Sequence, residues 1–211
     1  MKVSEIFYSV QGEIDIGKPA IFIRLSGCNL IRENKVCEFC DSLYAEQGEE
    51  ITITDVLQKV KSFDCRNVVI TGGEPLYQLE DLIILVQELD KEGYSIDIET
   101  NGTIFSDDVF WNCFSINCSP KRQAINIDVL KRLLDFNTRF KFIYENKEDM
   151  WWEQVIEEVG IRSDTVYIMP QGKTREEQLK LMPEVIEYCK LKGYNFTPRL
   201  HVLVWDNRRG V

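Results

Sequence analysis

The chain has 211 residues, of which 44% are hydrophobic and 11% aromatic, enough for the core of one α/β domain and too apolar for a disordered chain. A formal net charge of −10 excludes a protein that holds long nucleic acid electrostatically, because that binding rests on Lys and Arg neutralising phosphates; a small substrate or a protein partner fits better. No apolar run approaches the roughly 18 residues of a membrane span, and "MKVSEIFYSVQGE" carries no basic-then-apolar leader, so the expected location is the cytoplasm, with no membrane contact.

In chain order, "AIFIRL" (20–25) reads as a strand, and Thr54 can cap a helix over "DVLQKVKSF". "NVVITGG" (67–73) is the next strand. The helix "LEDLIILVQELDKEG" sets Leu82, Leu85, Val86 and Leu89 on one face and stops at Gly93. Strands follow at 95–100 and 114–120, then a short helix from Asp128 through Leu134. After the strand "RFKFIY" (139–144), the helix "DMWWEQVIEEVG" closes at Gly160, and "TVYIMP" (165–170) is a further strand. "TREEQLKLMPEVIEYCKLKG" predicts a helix broken or restarted at Pro183. "RLHVLVW" (199–205) reads as a last strand in which His201 alternates with Leu200 and Val202.

Strands alternating with amphipathic helices call for a parallel sheet. About six such units are too few for a closed eight-stranded barrel. One domain over residues 1–211, an α/β partial (open) barrel with some helices reduced, is therefore expected, with no repeat and no linker. Its polar, Gly- or Pro-rich clusters all follow strand ends: the Cys28 loop, "TGGEP" (71–75), "ETNGT" (99–103), "SPK" (119–121) and "MPQG" (169–172). They predict one rim of binding loops at the carboxyl edge of the sheet.

Seven cysteines is an odd number, and three of them, Cys28, Cys37 and Cys40, form C-x8-C-x2-C in a polar segment. Three thiolates can ligate three irons of a [4Fe–4S] cubane and leave the fourth open to a small molecule. Zinc on three cysteines would need a fourth ligand, and the single histidine, His201, lies far along the chain. A redox pair of Cys37 and Cys40 is the other alternative. Cys65, Cys113, Cys118 and Cys189 read as structural thiols. In "TGGEP" two glycines permit close approach to the backbone and Glu74 can meet an ammonium group, although a plain strand-to-helix turn has the same composition. Beside a cluster with an open iron, the motif suits S-adenosylmethionine (SAM).

The chain resembles the radical SAM superfamily and, within it, the 7-carboxy-7-deazaguanine synthase family. The resemblance is carried from end to end by "YSVQGEIDIGKPAIFIRLSGCN" (8–29), "CEFCDS" (37–42), "ITGGEPLYQ" (70–78), "ETNGT", "SPK", "KFIYEN" (141–146), "MPQG" and "RLHVLVWDNRRGV" (199–211). It implies a barrel of the radical SAM type and a cluster on Cys28, Cys37 and Cys40. Gly72, Gly73 and Glu74 would hold the methionyl end of SAM, with Thr100, Asn101, Ser119, Lys121 and Gln171 around its ribose and adenine.

The implied substrate is 6-carboxy-5,6,7,8-tetrahydropterin, gripped by Gln11, Gly12, Glu13, Arg24, Thr71, His201 and the terminal carboxylate of Val211. Ring contraction with loss of ammonia would give 7-carboxy-7-deazaguanine, for 7-deazapurine pathways such as that to queuosine. Mg²⁺ is implied on Ser42, where the family usually has threonine, and a flavodoxin-type electron donor and a homodimer are implied as partners. C-x8-C replaces the superfamily's common C-x3-C, an insertion an exposed loop tolerates. A radical SAM activase of a glycyl-radical enzyme leaves "QGE", Arg24 and His201 without a task. The rival outside enzymology is a zinc-stabilised interaction module.

Overall fold

The computed structural model describes residues 1–38, 40, 47–206 and 208. Ser42 and Val211 therefore lie outside the described residues. The described strands are β1 (Lys2–Val10), β2 (Pro19–Leu25), β3 (Glu49–Glu50), β4 (Asn67–Gly72), β5 (Ser95–Thr100), β6 (Ser115–Cys118), β7 (Thr138–Tyr144), β8 (Val166–Pro170) and β9 (Asn195–Phe196). They form one open sheet in the order β3-β1-β2-β4-β5-β6-β7-β8-β9. From β2 to β9 every pairing is parallel; β1 runs antiparallel to β2 and to β3. The six longer parallel strands are those expected from the sequence, while β1, β3 and β9 were not. β1 mixes polar and apolar residues without clear alternation, and the two-residue edge strands carry no pattern to read.

The helices are α1 (Asn29–Arg32), α2 (Ile53–Lys61), α3 (Leu79–Lys91), α4 (Asp107–Phe110), α5 (Ile127–Leu133), α6 (Trp152–Val159), α7 (Arg175–Lys192) and α8 (Leu200–Trp205). α4, the whole connection helix between β5 and β6, has four residues, so the expectation of reduced helices holds. Strand side chains alternate between two faces. Ile21, Ile23 and Leu25 of β2, Ile96 and Ile98 of β5, and Phe140 and Phe142 of β7 lie in one core with Leu82, Leu85, Val86 and Leu89 of α3. Residues that alternate with them, such as Arg24, Glu99 and Lys141, line a cavity on the other face. Burial on both faces explains why several strands read as nearly continuous apolar runs. No helix among the described residues is long and apolar enough to cross a membrane.

Four local expectations are corrected. α2 is capped by Thr52, not Thr54: the Thr52 hydroxyl accepts from Asp55 N, whose carboxylate answers the Thr52 N–H in a capping box. α5 starts behind Asn126, which accepts from Val129 N, rather than at Asp128. α7 passes through Pro183 unbroken. The expected strand over 199–205 is instead a helix from Leu200 to Trp205. The β-branched Val202 and Val204 imitate a two-residue period, but only Val202 is buried. Contacts distant in sequence decide the matter: Leu200 N donates to Gly12 O at 2.7 Å, and Arg175 donates to the carbonyls of Leu203 and Val204 at 2.6 and 2.8 Å, closing the helix's C-terminal end.

Candidate active site

A cavity of about 730 Å³ opens at the carboxyl edge of the sheet, the size of a site for a drug-sized ligand or larger. Every site residue expected from the sequence and lying within the described part lines it, with one exception, Glu74.

At one end stand the partly exposed thiols of Cys28, Cys37 and Cys40. Burial pushes the Cys28 thiol above its usual range, and the charges of Glu74 and Cys37 act in the same sense. Cys40 N donates to Cys37 O at 3.1 Å, which holds the second and third thiols close together in the chain. The long gap before it is built structure: α1 buries Leu30, Leu30 and Ile31 join the cavity wall, and the Arg32 guanidinium lies 5.5 Å from the Tyr77 ring centroid. Gln123, just past "SPK", donates to Lys35 O at 3.1 Å and to Cys37 Sγ at 3.4 Å, fastening the loop from across the site.

Gly72 and Gly73 bring β4 against this loop. A Cβ on Gly72 would sit 2.0 Å from Leu25 O, and one on Gly73 2.0 Å from Gly27 O. Gly73 N and Glu74 N instead donate to those carbonyls at 3.2 and 2.9 Å. Glu74 then turns inward. Its carboxylate is wholly buried and accepts from Asn101 N (2.6 Å), Thr100 Oγ1 (2.9 Å) and Leu76 N (3.2 Å). Burial lifts its pKa to about 7 against these bonds and the charge of Lys121. Glu74 thus ties three loops beneath the floor. Asn101 is similarly engaged: Nδ2 donates to Asn29 at 3.0 Å, and Oδ1 accepts from Thr103 N and Oγ1 at 3.0 and 2.6 Å. Ser119 and Lys121 are joined by a 2.7 Å bond from Lys121 Nζ.

The other end is lined from β1, β2, β7 and α8. Arg24 Nε donates to Glu5 Oε1 at 2.7 Å. Glu13 is paired with Lys141, and Arg199 Nε lies 3.3 Å away. Burial alone would raise the Glu13 pKa, but Lys141, Arg199 and His201 hold it well below the ordinary carboxylate range. Gly12 lies against His201; a Cβ there would meet Nδ1 at 2.3 Å. Between the two ends, Thr71 donates to Glu99 at 2.5 Å. Glu5, Glu99, Asn117, Lys141 and Arg199 belong to the cavity wall but were not singled out from the sequence. Strand alternation from Arg24 pointed to such inward polar rows, and "ETNGT" and "KFIYEN" contain two of the five.

Three thiols beside a glycine floor and a polar chamber fit an iron–sulfur cluster, with SAM and a small polar substrate next to it. The class of protein this fold and site define is a radical SAM enzyme. Residues 22–177 match the family described as the radical SAM superfamily. Curated relatives include the 7-carboxy-7-deazaguanine synthase of Halobacterium salinarum, 32% identical over 98% of this chain and 91% of its own length. The synthase of Aquifex aeolicus is 33% identical over 89% of this chain and 86% of its own. Among solved structures, QueE from Escherichia coli superposes with a TM-score of 0.72 at 25% identity, covering 95% of this chain and 94% of that one. Streptococcus suis SuiB, at 17% identity and a TM-score of 0.59 over 84% of this chain and 48% of its own, shares the fold. The chain belongs to the radical SAM superfamily and, within it, to the 7-carboxy-7-deazaguanine synthase family. That membership decides for a [4Fe–4S] cluster and SAM over zinc.

Proposed function

We propose that the chain contracts 6-carboxy-5,6,7,8-tetrahydropterin to 7-carboxy-7-deazaguanine with release of ammonia, in 7-deazapurine biosynthesis of the queuosine type. The observation that carries this reading is the convergence of Cys28, Gly73, Gln11, Arg24 and His201, from three distant stretches of chain, on one cavity. The cluster and SAM, when bound, supply one-electron chemistry and hydrogen abstraction. The chain itself supplies position. Cys28, Cys37 and Cys40 offer one thiolate to each of three irons, and Gly72 and Gly73 let the methionyl end of SAM reach backbone. Thr100, Ser119, Lys121 and Gln171 take ribose and adenine. Glu74, which alone of these lies off the cavity wall, serves that subsite by holding its loops, and Asn101 ties the same loops to Asn29 and Thr103.

Gln11 and Glu13 read the aminopyrimidinone edge, with Gly12, Thr71 and His201 beside it. Arg24 takes the substrate carboxylate, its guanidinium oriented by Glu5. Ser42 would give Mg²⁺ a hydroxyl oxygen and Val211 a carboxylate to the substrate. The reading includes a flavodoxin-type donor, a homodimer and a cytoplasmic location. The test is anaerobic turnover of the reconstituted protein with SAM, a reductant and the tetrahydropterin, followed by mass spectrometry. Deazaguanine product is expected; a full cluster with neither product nor substrate-stimulated SAM cleavage would reject the reading.

A further inference from the structure

Beneath the cavity floor lies a carboxylate to which the proposed reaction gives no task. Asp97, in β5, is wholly buried. Its Oδ2 lies 3.0 Å from Gln11 Nε2, and its Oδ1 accepts from the Ser115 hydroxyl. Arg139 stands 3.9 Å from Oδ1 and is itself held by Asp15 at 2.6 Å. A buried carboxylate persists only when paired and hydrogen-bonded, and these groups meet that condition.

The consequence concerns Gln11. A carboxylate has only lone pairs to offer, so the amide atom facing it is the nitrogen and the carbonyl oxygen is turned the other way. Gln11 lines the cavity, and among the described residues no donor reaches its Oε1. Its backbone is fixed as well: N donates to Lys18 O and O accepts from Gly17 N, both at 2.9 Å. What remains for Asp97 to set is the sense of the amide. A free glutamine can present either its N–H or its C=O to a ligand.

We infer that Asp97 is a positioning residue that locks the Gln11 carbonyl toward the substrate, so that this point of the site selects a ligand N–H and rejects a ligand carbonyl. The inference rests on the reading that Gln11 touches the pterin, and the experiment separates the two. KM for 6-carboxytetrahydropterin, kcat and SAM affinity are measured for Gln11→Ala, Asp97→Asn, Gln11→Glu and the double variant Asp97→Asn/Gln11→Glu. Asp97→Asn lets the amide turn over and is expected to raise KM about tenfold or more, with kcat within about threefold and SAM affinity and cluster content unchanged, a split that a general loss of structure would not give. The double variant, in which the two side chains exchange roles and an acceptor again faces the ligand, should recover most of that loss.

An Asp97→Asn variant with native KM, or a double variant no better than Gln11→Glu, overturns the inference if Gln11→Ala has raised KM. If Gln11→Ala leaves KM unchanged, the contact between Gln11 and the pterin falls, and the inference with it. Should Asp97→Asn not fold alone, the comparison of Gln11→Glu with the double variant still decides.

Discussion

Gly12 and Glu74 show how single positions constrain the site. Because a Cβ on Gly12 would meet the His201 ring at 2.3 Å, Gly12→Ala should push the imidazole out of place and raise the KM for pterin about tenfold. In a His201→Ala background the same change should do little, since the two share one contact. Steady-state kinetics on the single and double variants checks this. Glu74 makes a different prediction. A native pKa of about 7 against an ordinary 4.5 means that the folded state binds more protons between those pH values. Its contribution therefore falls as pH rises through that window, by on the order of 3 kcal/mol, and is flat above it. Urea unfolding at pH 5 and pH 7.5 should show Glu74→Gln with a shallower fall than the native chain. Glu13, held low by its cations, acts in the opposite sense and loses its contribution as pH drops below the carboxylate range. The cysteines and glycines were legible in sequence because spacing and missing side chains are written there. The burial of Glu74 was not, since an acid in a loop ordinarily faces water.

The eight-residue gap in the cysteine loop shows what an element adds. Its helical turn walls the cavity, and Gln123 fastens its far end. An N–H···S bond to a cluster ligand favours the reduced, more negative state, so Gln123→Ala should lower the midpoint potential of the cluster; an unchanged value in an EPR-monitored redox titration would refute the bond's importance. In α7, Pro183 is exposed within an unbroken helix, where it removes one backbone hydrogen bond. Pro183→Ala should stabilise the protein by about 1–3 kcal/mol, seen as a raised Tm with unchanged KM. The helices with a clean 3.6 period, such as α3 and α6, were readable from sequence. α8 was not: six residues are too few for periodicity to tell helix from strand, and its ends are closed by Gly12 and Arg175 from elsewhere in the chain.

On the scale of the whole molecule, the parallel order of the sheet was readable because strands and helices alternate. The polar row across it was not, because register alone sets Arg24 beside Thr71 and Glu99 beside Asn117. Strand β2 has a further consequence. It carries Arg24, and the chain leaving it reaches Cys28 four residues on, so the backbone positions of the proposed carboxylate clamp and the first cluster ligand are at most about 13 Å apart. β2 is a ruler between the place where the radical arises and the place where it acts. Gly72, packed on Leu25 O, keeps that ruler from sliding. Insertion of one residue between Leu25 and Ser26 should lengthen it and uncouple the two events, so that the SAM cleaved per deazaguanine formed rises while the cluster still assembles.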